Sequence, residues 1–479
     1  MMNSLALGIA ILAAGQVGSQ STAGVSQPDS PAVLCHQLLA FDGTSSVASF
    51  SVSPAASANV GDWAQSAASA NQNATTPTPD ASASPIAQPS APPAAASPQS
   101  ADQSTSQAAP SAEASSDEWL LMKSLEGTWI GAVLKANRIQ ISGWTDLSYT
   151  ASTDRYTNGP MGFNFKANDF LLQQNWLRIE QPVDTSSTCD PSYGFRIDTI
   201  LPGSDYRYTV ARGLFSDQLT ADQGHPNLYG IDPIQFYGEA YYPTVAQGMD
   251  VKVGRFFALY GVETNDAVSN ALFSHAYTFV YDPFTHTGIV TTTKLSDAYT
   301  VQAGLVLGSD DFIDPVDTPT FVGSIKWTAS STDSVLFNVI AGSGRYNQAR
   351  NFNNPEVFDL VYNHKFSDRL NYNFESLFGF TTNVPDLGTA EWFGVLNYLT
   401  YQVTAKLDAT TRLEFFDDIQ GERTGFVGLY TALTTGLEFK PCPAIILRPE
   451  VRYDVNDESR PFEGKHDLFT AATDVILRW

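Results

Sequence analysis

The chain has 479 residues, a formal net charge of -24 and only 16% charged residues. That acidic balance excludes nucleic acid as a partner, because phosphate binding needs clustered Lys and Arg. The three cysteines, Cys35, Cys189 and Cys442, form neither a CxxC pair nor a zinc spacing, and an odd number cannot pair completely within the chain.

Residues 5–14, LALGIAILAA, form an apolar run of signal-peptide length followed by Ala13, Ala14 and Gly15. The run is too short for a membrane-spanning helix, which needs about 20 apolar residues. Residues 1–20 therefore read as a signal peptide, although the leading MMNS lacks the usual positive charge. Leu34 before Cys35 fits a lipid-attachment signal poorly. No Lys or Arg occurs before residue 119, so all 26 basic residues lie beyond that point.

Residues 21–117 read as a disordered linker rich in Ala, Ser, Pro and Gln. They hold too few large apolar side chains to offset the entropy of ordering. A spacer through a periplasm or cell wall and a filler without a partner both fit this composition. In the segment 118–136, Trp119, Leu120, Leu121, Leu125 and Ile130 predict one short amphipathic helix ending near Gly127. It could plug or anchor the domain that begins at Asn137.

From Asn137 to Trp479 the dominant hydrophobic period is two, in segments of about 9–13 residues punctuated by Gly, Pro, Asn and Asp. In 138–149, Ile139, Ile141 and Leu147 share one face, while Gln140, Ser142, Asp146 and Ser148 share the other. In 445–455, Ile445, Leu447, Val451, Tyr453 and Val455 alternate with Ile446, Arg448, Glu450, Arg452 and Asp454, with Pro449 awkward inside a central strand. Further candidates are 170–181, 193–201, 206–214, 231–242, 249–260, 287–295, 298–308, 320–330, 333–342, 356–366, 369–380, 390–404, 406–418, 425–439 and 468–479. The tally is about seventeen segments. Membrane barrels close with an even number, so the expectation is an all-β, transmembrane antiparallel β-barrel of about 16 strands, with 18 the next choice. A soluble sandwich or propeller fits less well. No repeat of about 40–50 residues recurs, and the segments are longer than the soluble average of about 5–6 residues.

Several stretches carry a family resemblance. YGFRIDTILPGSDYRYT (193–209), MDVKVGRFFALYGVE (249–263) and NALFSHAYTFVYDPFTHTG (270–288) resemble the OmpL-like β-barrel porins, as do the opening strand and NWLRIEQPVD (175–184). The resemblance covers roughly 120–479. It implies an outer-membrane porin, and the DVILRW ending is similar to the aromatic signal such barrels present to the barrel-assembly machinery. Outer-membrane lipid would surround the wall. Many porins form homo-oligomers, but no subunit interface is legible here.

A barrel of about 16 strands leaves an aqueous lumen, so passive diffusion of small hydrophilic solutes or ions needs no catalyst, cofactor or metal. Pointing the polar parity inward gives the pore-lining candidates Arg196, Asp198, Glu375, Arg412, Glu414, Arg448, Glu450, Arg452, Asp454, Asp474 and Arg478. Their charges nearly balance, which predicts weak ion selectivity inside. The acidic excess then belongs to loops such as 308–317 and 454–459, making a mouth that concentrates cations. The same charges could instead pair and brace the wall. His275, His286, Glu263 and Asp282 fit no metal-ligand spacing, and the neighbouring Pro283, Thr285 and Thr287 suggest a structured loop or folded-in constriction. Asp310, Asp311, Asp314 and Asp317 read as a solvated acidic loop rather than a calcium site. His364 and Ser367 are too little for a hydrolytic dyad. The alternative to an open pore is a plugged structural or adhesive barrel, which tends to carry long loops; most loops here read as short.

Overall fold

Alternation of polar and apolar side chains lets one face of a strand meet lipid and the other meet the interior, and closure into a barrel satisfies every backbone group without an edge. The computed structural model describes residues 120–313, 319–342 and 355–479 and shows this solution. Sixteen antiparallel strands form a closed barrel. They are β1 (Gln140–Ser152), β2 (Asp169–Gln181), β3 (Ser192–Gly203), β4 (Gly230–Tyr242), β5 (Met249–Phe257), β6 (Thr285–Lys294), β7 (Tyr299–Val306) and β8 (Thr320–Thr328) in the first half. The second half comprises β9 (Asp333–Ala341), β10 (Glu356–Ser367), β11 (Leu370–Val384), β12 (Gly388–Thr404), β13 (Leu407–Asp418), β14 (Gly428–Cys442), β15 (Ile445–Asn456) and β16 (Asp467–Arg478). Each strand pairs with its sequence neighbours, and β1 closes on β16 through pairs such as Trp144 with Arg478 and Ser148 with Asp474.

The parity is clear in β1. Ser142, Trp144, Asp146, Ser148 and Thr150 are buried inside, whereas Leu147 is exposed on the outer face. Tyr193, Tyr299, Trp327, Phe366 and Tyr401 are exposed near the ends of their strands on the side of the barrel termini, as an interfacial aromatic girdle requires. Pro449 lies within β15 opposite Thr473 of β16.

Several expectations are corrected. The segment 206–214 is not a strand. Tyr206–Thr209 forms a single helical turn, and the connection 204–229 turns inward from the end of β3. Its apolar side chains serve burial inside the connection: Tyr206 is enclosed and its hydroxyl donates to the Asn227 carbonyl at 2.7 Å. Ahead of the barrel there are two helices rather than one, α1 (Leu120–Leu125) and α2 (Trp129–Ala136), separated at Gly127, which takes a left-handed φ of 75°. Thr128 caps the second by accepting from the Gly131 amide at 3.0 Å. Neither helix buries a residue, and Trp129 is 77% exposed, so they do not fill the lumen. The signal peptide, the linker and Cys35 lie outside the described residues.

The connections differ sharply between the two ends. On the side of the termini they are mostly tight, such as 368–369, 405–406 and 443–444. On the other side they are long, including 153–168, 204–229 and 258–284, against the expectation of short loops.

Candidate functional site

The lumen is crossed by the chain itself. After β5 the segment 258–284 leaves the wall and folds inward, carrying a short 3-10 turn at Ala267–Ser269 and a helical turn at Tyr277–Val280. A segment in that position has amides and carbonyls with no ladder to join, and buried backbone groups must be paired. The barrel wall supplies the partners as charged side chains. Gly261, with a left-handed φ of 88°, starts the inward path. Its amide donates to Asp359 Oδ2 at 3.2 Å, and the Val262 amide donates to Glu375 Oε2 at 2.8 Å.

The remaining clamps follow the same logic. Carboxylates of the wall accept from loop amides: Glu450 from Phe273 and Ser274 at 2.9 and 3.1 Å, and Glu414 from Tyr277 and Thr278 at 2.9 and 2.7 Å. Guanidinium groups donate to loop carbonyls. Arg448 Nη1 reaches Ala267 and Asn270, both at 2.7 Å, Arg452 Nη1 reaches His275 at 2.5 Å, and Arg412 Nη1 reaches Ser274 at 2.5 Å. Arg448 is paired behind with Asp474, and Arg452 with Asp454 at 2.7 Å. Such charge-assisted bonds are each worth about 1.5–3 kcal/mol.

Glu263 is the loop's own anchor. Its carboxylate meets Arg412 Nη1 at 2.8 Å and His275 Nδ1 at 2.6 Å, and accepts the Ala276 amide at 3.0 Å. Burial pushes its pKa up, but Arg412 and His275 outweigh burial and hold it at about 2. Among the described residues no cation forms an ion pair with Asp282, and burial raises its carboxyl well above the usual range. Asp310 accepts the Phe284 and Thr285 amides at 3.2 and 2.8 Å, and burial pushes it up to about 6.

The candidates from the sequence thus divide. Glu375, Arg412, Glu414, Arg448, Glu450 and Arg452 face inward and clamp the folded segment, with Asp454 and Asp474 behind them. Arg196 and Asp198 belong to a second cluster with Arg178, whose Nε donates to Asp198 Oδ1 at 2.8 Å. Arg478 is set apart at the strand end, donating to the Pro443 carbonyl at 3.3 Å. Sequence reasoning missed Arg178, Asp232, Arg255 and Asp359. Arg255 Nη1 pairs with Asp232 Oδ1 at 2.6 Å and its Nη2 donates to the Thr209 carbonyl at 2.6 Å, fixing the 204–229 connection. Placing charge at inward parity beside the 193–209 and 249–263 motifs would have singled out Arg178, Asp232 and Arg255.

The loop is held by side chains of β10, β11, β13 and β15 and by Gln174 of β2, and a cavity of about 300 Å³ remains beside it. Arg178, Arg196, Tyr237 and Lys252 line one wall, Asn363 and Asn373 the opposite one, and Thr264, Asp266 and Ser269 the loop side. Ser367 is occupied in its turn, accepting the Arg369 and Leu370 amides at 3.3 and 3.1 Å, and His364 contacts Asp333 Oδ1 at 2.7 Å. Among the described residues there is no cluster of three metal-ligating side chains.

The sequence profile described as "Putative beta-barrel porin-2, OmpL-like" matches residues 138–478, the whole barrel. The chain belongs to this porin family. It is an outer-membrane porin, a class built for channels rather than for catalysis. Comparison with curated proteins finds no match. Among solved structures, the porin is similar to the anion-selective porin from Comamonas acidovorans, at 8% identity and TM-score 0.47, covering 71% of this chain and 99% of that one. It is also similar to the outer-membrane channel DcaP of Acinetobacter baumannii, at 12% identity and TM-score 0.45, covering 71% and 97%. The trimer form of OmpT from Vibrio cholerae aligns at 10% identity and TM-score 0.46, covering 71% and 99%.

Proposed function

We propose that this porin passes small hydrophilic solutes by passive diffusion along the space between the folded segment 258–284 and the β2–β11 wall. The observation that carries the reading is the cavity of about 300 Å³ lined by polar and charged side chains beside the clamped loop. The clamps commit most of the inward charge to loop backbone. Arg412, Glu414, Arg448, Glu450, Arg452, Asp454 and Asp474 therefore set the width of the passage more than they touch its contents. Arg196 and Asp198 lie nearer the path. Most inward charges are paired with an opposite charge or held by loop backbone, which supports weak ion preference inside. Assembly as a homo-oligomer fits a porin and is part of the same proposal.

The apolar packing of the inward connections favours a second reading, a plugged barrel. Met161 and Phe163 of 153–168 are buried, and Phe163 packs with Val280 and Phe284 of 258–284. Single-channel recording of detergent-purified, heat-modifiable protein in planar bilayers separates the two. Stable open steps with little ion preference are expected. Silence from correctly folded protein sinks the open channel and leaves the plugged barrel.

A further inference from the structure

The cavity beside the folded loop brings cationic and aliphatic side chains together. On β2, β3 and β5 stand Arg178, Arg196 and Lys252. The lining also holds Leu259, Val290, Leu336 and Val361, with Val290 beside Lys252 in the β5–β6 ladder. The last three come from β6, β9 and β10 and point inward at positions where a water-filled lumen would carry polar groups. The loop contributes Ala258, Leu259 and Val262 to the lining, and β5 contributes Phe256 and Phe257. A cavity that joins placed charged and polar groups to apolar side chains is a common form of small-molecule site.

The cations of the lining differ in how far they are used. Arg178 is committed to Asp198 and lies 3.5 Å from Asp266. Asp266 is itself occupied by the hydroxyls of Thr264 and Ser269 at 2.7 and 3.0 Å. Arg196, only 4% exposed, reaches Asp198 and Glu180 through Nε at 3.2 and 3.6 Å, while its Nη2 has no hydrogen-bond partner among the described residues. The Lys252 ammonium has three donors; it lies 3.4 Å from Glu239 and 5.0 Å from the Tyr237 ring centre. Donor capacity therefore remains on Arg196 and Lys252, in a cavity that aliphatic side chains also line.

We infer that this cavity is a binding site for small amphipathic carboxylates, with the carboxylate on the Arg196 and Lys252 side and an apolar body against Leu259, Val290, Leu336 and Val361. The inference rests on the passage proposed above and narrows its solutes to one class. An inorganic anion uses only the cations and a neutral apolar solute only the aliphatic groups. A carboxylate carrying a ring or short alkyl chain uses both.

The test measures binding and conduction separately on the full-length protein in detergent and in planar bilayers. Benzoate, acetate and benzamide are titrated calorimetrically. Benzoate is expected to bind more tightly than acetate, which lacks the apolar body, and than benzamide, which lacks the charge. Lys252→Gln should weaken benzoate roughly tenfold, the loss of one charge-assisted contact, and leave benzamide unchanged. Val361→Asn should weaken benzoate and leave acetate unchanged. Heat-modifiable mobility confirms that each variant is folded. Equal binding of benzoate and benzamide, or of benzoate and acetate, overturns the site. Conductance without benzoate binding overturns this inference and leaves the open porin standing. Benzoate binding that both variants weaken in a silent barrel upholds the site and overturns the passage.

Discussion

Arg412 has no solvent-accessible surface, and it holds the folded loop at Glu263 and Ser274. It joins Glu263, the Ser274 carbonyl and hydroxyl, and the Tyr398 ring in one buried group. Removing one partner of a buried pair leaves an uncompensated charge, at a cost of about 3–5 kcal/mol, whereas replacing both can be close to neutral. Arg412→Met should therefore lower the urea midpoint strongly, and the double variant Glu263→Gln with Arg412→Met should recover most of the loss. Equal destabilisation in the single and double variants would show that the pair itself does not carry the effect. Asp205 gives a pH-dependent counterpart. Burial pushes its carboxyl up to about 8, although Gln174 donates to it at 2.9 Å. Its folded pKa lies above the unfolded value of about 3.9, so folding favours the neutral acid. That contribution is complete below about pH 4 and is lost as the pH rises through about 8. Wild-type protein should lose stability between pH 5 and pH 8. Asp205→Asn should flatten that slope, as urea midpoints at the two pH values would show.

The folded segment 258–284 belongs to the scale of elements, and there a cut is the sharper test. Replacing 264–281 with a short Gly-Ser linker removes the amides and carbonyls that the wall clamps. Single-channel conductance should rise roughly two-fold or more, because an uncrossed 16-strand barrel leaves an aqueous channel. The same variant should be less stable, since Glu414, Glu450, Arg448 and Arg452 lose their loop partners. Unchanged conductance would place the limiting constriction elsewhere. The strands around this loop were legible in the sequence because lipid on one side and a polar interior on the other impose a strict period of two. The loop was legible only as a departure from that period near His275 and Asp282. Its clamps were not legible, since a carboxylate aimed at a loop amide and one aimed at water occupy the same parity. Glu450 and Arg452 look like pore lining for that reason. The stretch 206–214 misled in the opposite direction: Tyr206 and Thr209, three apart as on a helical turn, are buried inside a connection whose apolar content resembles a strand.

At the scale of the whole molecule, the net charge of -24 must be placed before it can be related to permeation. Part of the acid expected at the mouth is turned inward instead. Asp310 holds the amides at 284–285, Asp311 pairs with Arg212 at 3.4 Å, and Asp454 sits behind Arg452. Asp314 and Asp317 lie outside the described residues. Exposed acids at the long-loop end include Asp217, Asp222, Asp386, Asp457 and Glu458, against exposed Arg155 and Arg460. Such a rim favours cations only within a Debye length, about 10 Å at 0.1 M salt and about 3 Å at 1 M. Reversal potentials in KCl gradients should accordingly show a cation preference near 0.1 M that fades by 1 M. The lumen clusters around Asp198 and Glu263 are buried and paired, so salt should alter them little. A preference unchanged by salt would move selectivity from the rim to the cavity beside Arg196 and Lys252. An anion preference at low salt would show that the three cations of that cavity outweigh the rim.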